Sequence, residues 1–419
     1  MRKITALLAL CCIGTAVVLF LPGCLKDSAT RTYKIYTPNY SLKSSVLAAI
    51  NGSPAQPLAQ PGQLYIKDNF IYINDLNKGI HIIDNSNPSN PVQTAWLNIP
   101  GNQNIAIRGH ILYADMYADL LAIDISNPGQ AKIRGNLWNF FQGRGFVEDS
   151  CCVLTSWSTR DTTVPLNGGP TMYPVPGTAY YTMNSNTVAA AASSVGSKTG
   201  TAGSTAVMTL VGDYLYALPE SHSVGVVQVT DSSHPTLTNK IYAGYDLETI
   251  FPIQNRLLLG SKEGVYIYSI DNPAEPVQIG QFIHGRACDP VIADESNAYV
   301  TLHAGTSCGG SANELDVLNA TDLSQATLLK TYPMTHPSGL SKDGNLLFVC
   351  DGPVVKVFNT ADPANLQPVT TLNVKDAYDL IAANHLLLVA GPDGLYQYDY
   401  SDVNHITLLS HLAVSGPVN

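Results

Sequence analysis

The sequence is short of charge. Asp, Glu, Lys and Arg supply 13 % of its residues, against roughly 25 % in an average soluble chain. No basic run occurs and the net charge is -10, which argues against a nucleic-acid partner. Also missing are a P-loop, a G-x-S-x-G elbow, an H-E-x-x-H pair, a zinc-spaced pair of C-x-x-C motifs and an EF-hand run. The ten His are scattered without ligand spacing, and His81 reads as a satisfied strand residue. No convincing amphipathic helix appears, so a helical bundle is excluded.

What the chain has instead is Gly 33, Pro 26 and Tyr 22, a composition of many turns and half-buried strand aromatics. At 419 residues it has ample length for a core. Arg2 and Lys3 precede an apolar run from Ile4 to Leu21 and then "LPGC", Leu21 to Cys24. This is the pattern of a cleaved export signal, residues 1–23, in which Cys24 carries lipid. The alternative is a plain N-terminal membrane anchor. Residues 24–63 then form a tether, polar from Lys26 to Thr32, and a leading strand; residues 64–415 form the body.

A short apolar run that breaks into Asx, Ser and Pro recurs, as in "GIHIIDNSNPSNPV" (Gly79 to Val92) and "LLAIDISNP". The residues just after each run are Asp84, Asp124, Asp231, Ser269, Asn319, Asn359 and Asp399. Such side chains accept backbone N–H groups a residue or two onward and stabilise a turn. Four residues further, Pro88, Pro128, Pro235, Pro273 and Pro363 stop the ladder. Upstream the apolar positions alternate, for example Ile80 with Ile82 and Val355 with Val357, as in strands with a buried face.

The spacings between register positions are 40, 107, 38, 50, 40 and 40. Four short strands in about 40 residues define a β-propeller blade. A small twisted sheet has two faces to bury and buries them only by stacking in a ring. Seven register positions predict an all-β propeller of seven four-stranded blades; eight is the alternative, should the long second spacing hide a degraded blade. That spacing holds a strand-like run, Cys151 to Trp157, followed by an insertion assigned to residues 158–206 whose Ala/Ser/Gly/Thr tract reads as flexible.

The residues from "YKIYTPNY" (Tyr33 to Tyr40) through "GIHIIDNSNP", "RACDPV", "AYVTLHAGTSCGG" and "YPMTHPSGL" to "GLYQYDYSD" resemble the LVIVD-repeat β-propeller lipoproteins of Gram-negative bacteria. Ser269 at the Asx register and the absence of Pro in the fifth and seventh units depart from the pattern. The resemblance implies an outer-membrane lipoprotein, facing either the periplasm or the cell surface, and carries over no catalytic residue.

In a propeller the inter-blade connections and the loops between second and third strands share one mouth of the channel, where ligands gather. They contain Asn102, Asn104, Arg144, Asp246, Glu248, His284, Arg286, Asp289, His336, Asp376, Tyr378 and Asp379. Arg144, Asp246, Glu248, Arg286, Asp289, His336, Tyr378 and Asp379 are the candidate ligand-binding residues. A divalent cation is the cofactor such carboxylates would accept; a solvated rim of ion pairs and turn caps is the competing reading. Trp96, Trp138 and Trp157, with Tyr245 and Tyr378, could stack on a sugar, but strand aromatics more often pack between blades.

Eight Cys less Cys11, Cys12 and the lipidated Cys24 leave Cys151, Cys152, Cys288, Cys308 and Cys350, an odd number. Cys308 lies in the long loop His303 to Asn313 and is expected to pair with Cys288. Cys151 and Cys152 are expected as separate thiols, because adjacent strand residues face opposite ways. Cys350 is expected to be a buried small apolar residue. The function that follows is an exported, lipid-anchored binding module for a glycan or an envelope protein. A hydrolase or lyase using the mouth carboxylates, or a structural subunit of an envelope complex, are the alternatives.

Overall fold

A computed structural model describes residues 30–142, 151–165, 201–287, 290–305 and 310–415. The signal at 1–23, Cys24, Arg144, Cys288, Asp289 and Cys308 lie outside the described residues.

The chain divides into two compact units, residues 1–39 with 156–183 and residues 40–155 with 184–419. In the smaller, the described residues belong to two strands, Thr30–Leu42 and Cys152–Pro165, which pair as a two-stranded sheet. Thr32 and Thr163 bond through their hydroxyls at 2.9 Å, and Asn39 Nδ2 donates to Ser156 Oγ at 3.1 Å.

The larger unit contains seven sheets, each with four consecutive strands in chain order, the first sheet adding the short strand Thr201–Ala202 at its inner edge. The first blade is Pro61–Lys67, Phe70–Asp75, Gly79–Asp84 and Val92–Asn98. The others span residues 105–137, 208–242, 247–283, 291–333, 337–372 and 379–413. The first strand of each blade touches that of the next, and the last touches the first. The ring is therefore a closed seven-bladed β-propeller, and the eight-bladed alternative falls. A seven-residue helix, Lys43–Ala49, precedes the first blade. No helix of the described residues is long and apolar enough to cross a membrane.

Alternating residues such as Ile80, Ile82, Leu347 and Val349 are wholly buried between blades, each contributing roughly 1.5–3 kcal/mol. The recurring turn forms as the sequence predicts. The side chains of Asp84, Asp124, Ser269, Asn319, Asn359 and Asp399 each accept the N–H two residues on, at 2.8–3.2 Å. The third blade corrects the register: its strand ends at Gln228, and Asp231 holds the place of Asn87 in the first blade. Each of that pair accepts an N–H of its own, from Ser233 and Ser89. Every blade carries a register shift between its third and fourth strands, at Ile82/Ile83 in the first and Gln397/Tyr398 in the last. Such bulges increase local twist.

The turn also forms the seam between blades. Asn239 Nδ2 in the third blade donates to Ala274 O in the turn of the fourth at 3.2 Å. A Cβ on Gly135 would stand 2.5 Å from Ser233 O. The same contact closes the ring, where Ser410 Oγ donates to Pro88 O at 2.7 Å. Gln397 Nε2 to Asn85 Oδ1 at 2.8 Å and Ser415 N to Leu58 O at 2.8 Å complete the closure without exchange of a strand.

Candidate functional site

A short segment of the chain itself lies against the first strands that face the centre of the ring. Thr201 and Ala202 pair with Ile66 and Tyr65 as a fifth strand of the first blade. Gly203 N then donates to Leu64 O at 3.0 Å, and Ser204 N to Asp379 Oδ1 at 2.9 Å. Ser204 Oγ accepts Leu340 N at 2.6 Å, and Ala206 O accepts Ile250 N at 2.9 Å. Five successive residues, Ala202 to Ala206, are buried as they pass the first strands of blades one, seven, six and four. The insertion assigned to 158–206 is thus ordered at both described ends, as strand up to Pro165 and as this plug from Thr201. Only small residues fit here: a Cβ on Gly203 would lie 1.9 Å from Asp379 Oδ2.

Among the described residues, the predicted mouth residues are engaged in separate local contacts. Asp379 holds the plug and is wholly buried; burial pushes its carboxyl far above the usual aspartate range despite the N–H groups it accepts. Tyr378 donates its hydroxyl to Pro61 O, a first-to-last blade link. Arg286 pairs with Asp246 at 2.7 Å and Glu263 at 3.1 Å, and Lys262 sits 3.6 Å from Glu248. The ring of His336 lies edge-on to that of His303, 5.1 Å between centroids. Burial, then the neighbouring His336, brings the His303 pKa down to about 4. No group of three or more His, Cys, Asp or Glu placed to hold a metal ion occurs among the described residues.

Three carboxylates that sequence reasoning missed organise this mouth. Asp115 Oδ1, at the end of a second strand, accepts Gln103 N and Asn104 N, both at 2.8 Å, from the connection entering its own blade. Asn102 and Asn104, in the connection between the first and second blades, spend their side-chain amides on Asp115 at 2.9 and 2.7 Å. Asp351 likewise takes Thr335 N and His336 N at 2.8 and 2.7 Å, and Asp75 takes Ala59 N and Gln60 N. Burial opposes ionisation of Asp75, but buried His81 and the two N–H groups outweigh it and hold the carboxyl below its ordinary range. The signal was an Asp in or just after "FIYIND", "ILYADM" and "LLFVCD".

A groove of about 600 Å³ opens beside the second blade. Its walls are the turn Met116 to Asp119, Trp138 and Asn139 after the fourth strand, Lys43 at the helix start, and Cys152 with Val153. Cys151 and Cys152 form a disulfide with each other, which corrects the expectation of separate thiols. Alternation does not apply, because Cys151 lies in a turn and the strand begins at Cys152. Cys350 is free and buried, and burial raises its thiol pKa.

The groove is fixed by hydrogen bonds on several sides. Lys43 N donates to Cys151 O at 2.8 Å, Tyr117 Oη to Leu154 O at 2.9 Å, and Asn139 N to Asp119 Oδ1 at 2.9 Å. Tyr117 and Asn139 both adopt left-handed φ angles, 54° and 53°, which a bulky tyrosine rarely does. Lys43 Nζ pairs with Asp119 Oδ2 and stands 4.0 Å from the centre of the Trp138 ring. Trp138 remains 48 % exposed, so it is not the inter-blade packing expected of a strand aromatic.

The fold and these sites define the class: a seven-bladed β-propeller with residues 201–206 of its own chain seated against the first strands of four blades. The LVIVD repeat model matches residues 62–95 and 101–137, most of the first and second blades, so two of the seven blades are similar to that repeat. No curated protein matches the sequence significantly. Among solved structures, a periplasmic gluconolactonase of Pseudomonas aeruginosa is similar, with TM-score 0.54 and 12 % identity over 86 % of this chain and 98 % of that one. A Lactobacillus plantarum protein gives 0.53 and 12 % over 85 % and 97 %. The computationally designed Ika8 gives 0.51 and 11 % over 86 % and 88 %. At these identities the likeness is one of fold alone.

Proposed function

We propose that the protein is an exported, lipid-anchored binding module of the cell envelope, and that it recognises its ligand at the groove beside Cys151–Cys152 rather than in the channel. The observation that carries this is the plug: Thr201 to Ala206 lies against the channel-facing first strands, where a propeller usually receives a ligand. The mouth charges near it are engaged with one another. The groove, by contrast, has a preformed wall, an exposed indole and a volume inside the roughly 300–1,000 Å³ of small-molecule sites.

Export is supported by the apolar run Ile4 to Leu21 with Cys24 just beyond it and by the disulfide, since such bonds persist in oxidising compartments. Metabolic labelling with an alkyne fatty acid should mark the wild-type protein and leave a Cys24→Ser variant unmarked; equal labelling would contradict the anchor. For the groove, the intact protein is oxidised with hydroxyl radicals with and without extract of its own cell envelope. Trp138 is expected to be shielded by the extract while the exposed Tyr245 is not. An unchanged Trp138 oxidation rate would contradict the binding role.

A further inference from the structure

The chemistry of the groove restricts what it can take, granted the binding role just proposed. Its charges cancel in place. The Lys43 ammonium and the Asp119 carboxylate are paired, with side chains only 26 % and 9 % exposed, and the other Asp119 oxygen already accepts Asn139 N. A charged ligand would have to break that pair and leave one partner half-buried and uncompensated. A purely apolar ligand, such as an acyl chain, would cover Lys43 and the exposed Asn139 and strip them of water without offering acceptors or donors in return.

What the groove does offer is an apolar face next to a polar edge. The face is the indole of Trp138 with Cys152 of the adjacent-cysteine disulfide and Val153. The edge is the remaining N–H capacity of Lys43 and the side-chain amide of Asn139, which both donates and accepts. A pyranose ring matches both, because its axial hydrogens form an apolar face and its hydroxyls ring the rim. We propose that the groove is a binding site for a neutral saccharide. The sugar ring lies on Trp138, and its hydroxyls bond to Lys43 and Asn139. The hydrogen bonds that fix Tyr117, Asn139 and Cys151 in the unliganded protein mean that little ordering is left for the ligand to impose.

The test titrates the intact protein with maltose, cellobiose and N,N′-diacetylchitobiose, with galacturonic acid as the charged counterpart, following saturation-transfer NMR and tryptophan fluorescence. At least one neutral disaccharide is expected to saturate and galacturonic acid to bind less. Trp138→Ala should weaken that binding by about tenfold or more, with Trp138→Phe recovering part of the loss. Tyr245→Ala, at an exposed aromatic elsewhere on the ring, should leave it unchanged. If none of the disaccharides saturates while envelope extract still shields Trp138 from oxidation, the saccharide assignment is overturned and the binding role stands. Saccharide binding that survives Trp138→Ala overturns the location. Absence of both saccharide binding and shielding overturns both proposals together.

Discussion

The carboxylate of Asp379 accepts the backbone N–H of Ser204 at 2.9 Å, across 175 positions of sequence. Through this bond the last blade holds the segment that lies against the first strands facing the centre of the ring. Asp379 is buried and its carboxyl is raised far above the ordinary aspartate value by that burial. In the window between the two values the unfolded chain has lost a proton that the folded chain retains. Folding then takes up a proton, and stability declines as pH rises through the window. Asp379→Asn removes the titration and keeps the acceptor. Urea midpoints measured from about pH 4 upward should fall for the wild type relative to the Asn variant; parallel profiles would contradict the assignment. Asp379→Ala strands two buried N–H groups, those of Ser204 and Leu380, and should cost about 1–3 kcal/mol each.

Gly203 faces that carboxylate with no space for a side chain, since a Cβ would stand 1.9 Å from Oδ2 and 2.4 Å from Cγ. Gly203→Ala should therefore expel the plug from the channel while the blades persist. The expected reading is a large loss of amide protection confined to residues 201–206, with a near-normal far-ultraviolet spectrum. Full protection in the variant would show that the segment is not seated as described.

Asn359 accepts Ala361 N at 2.9 Å in the turn of the sixth blade. Asn359→Ala should cost about 0.5–1.5 kcal/mol in urea unfolding. Asn359→Asp, the residue that does the same work at position 84, should stay close to wild type. A loss as large for Asp as for Ala would mean that the turn depends on something other than the side-chain acceptor.

Cys151 and Cys152 should appear in a non-reducing peptide map as one peptide lighter by two hydrogens and inert to iodoacetamide until reduced. Cys350, buried and held as the thiol, should alkylate only after unfolding. Separate alkylation of Cys151 and Cys152 without reductant would contradict the pairing. The same map reads the state of Cys288 and Cys308.

The blades were legible because two signals agree within each: apolar alternation at Ile80 and Ile82, and an Asx side chain where the run ends at Asp84. In the third blade they disagreed. Asp231 matched by residue type, while the strand ends at Gln228, whose longer side chain does not make this turn. Pro235 was the clue, since it aligns with Pro91 and Pro276 rather than with Pro88.

The plug was illegible for a different reason. A tract of Ala, Ser, Gly and Thr has no periodicity, and the small residues that suggest flexibility are those needed to pass between closely set strands at Gly203 and Gly339. Asp75, Asp115 and Asp351 stood in plain view at the ends of second strands. Their partners are backbone N–H groups, which residue types do not reveal. The groove at Trp138 joins the helix start at Lys43 to a disulfide and a left-handed tyrosine turn, a meeting of distant segments that no local pattern announces.

Hydrogen exchange at the amides of Gly203 and Ser204 tests the closed ring and the seating of residues 201–206 most directly, because their bonds run to the first and last blades. Exchange as slow as that of the blade strands, with deuterium entering only on global unfolding, is the predicted result. Exchange at the rate of an open loop would show an accessible channel and return the search for the ligand to its mouth.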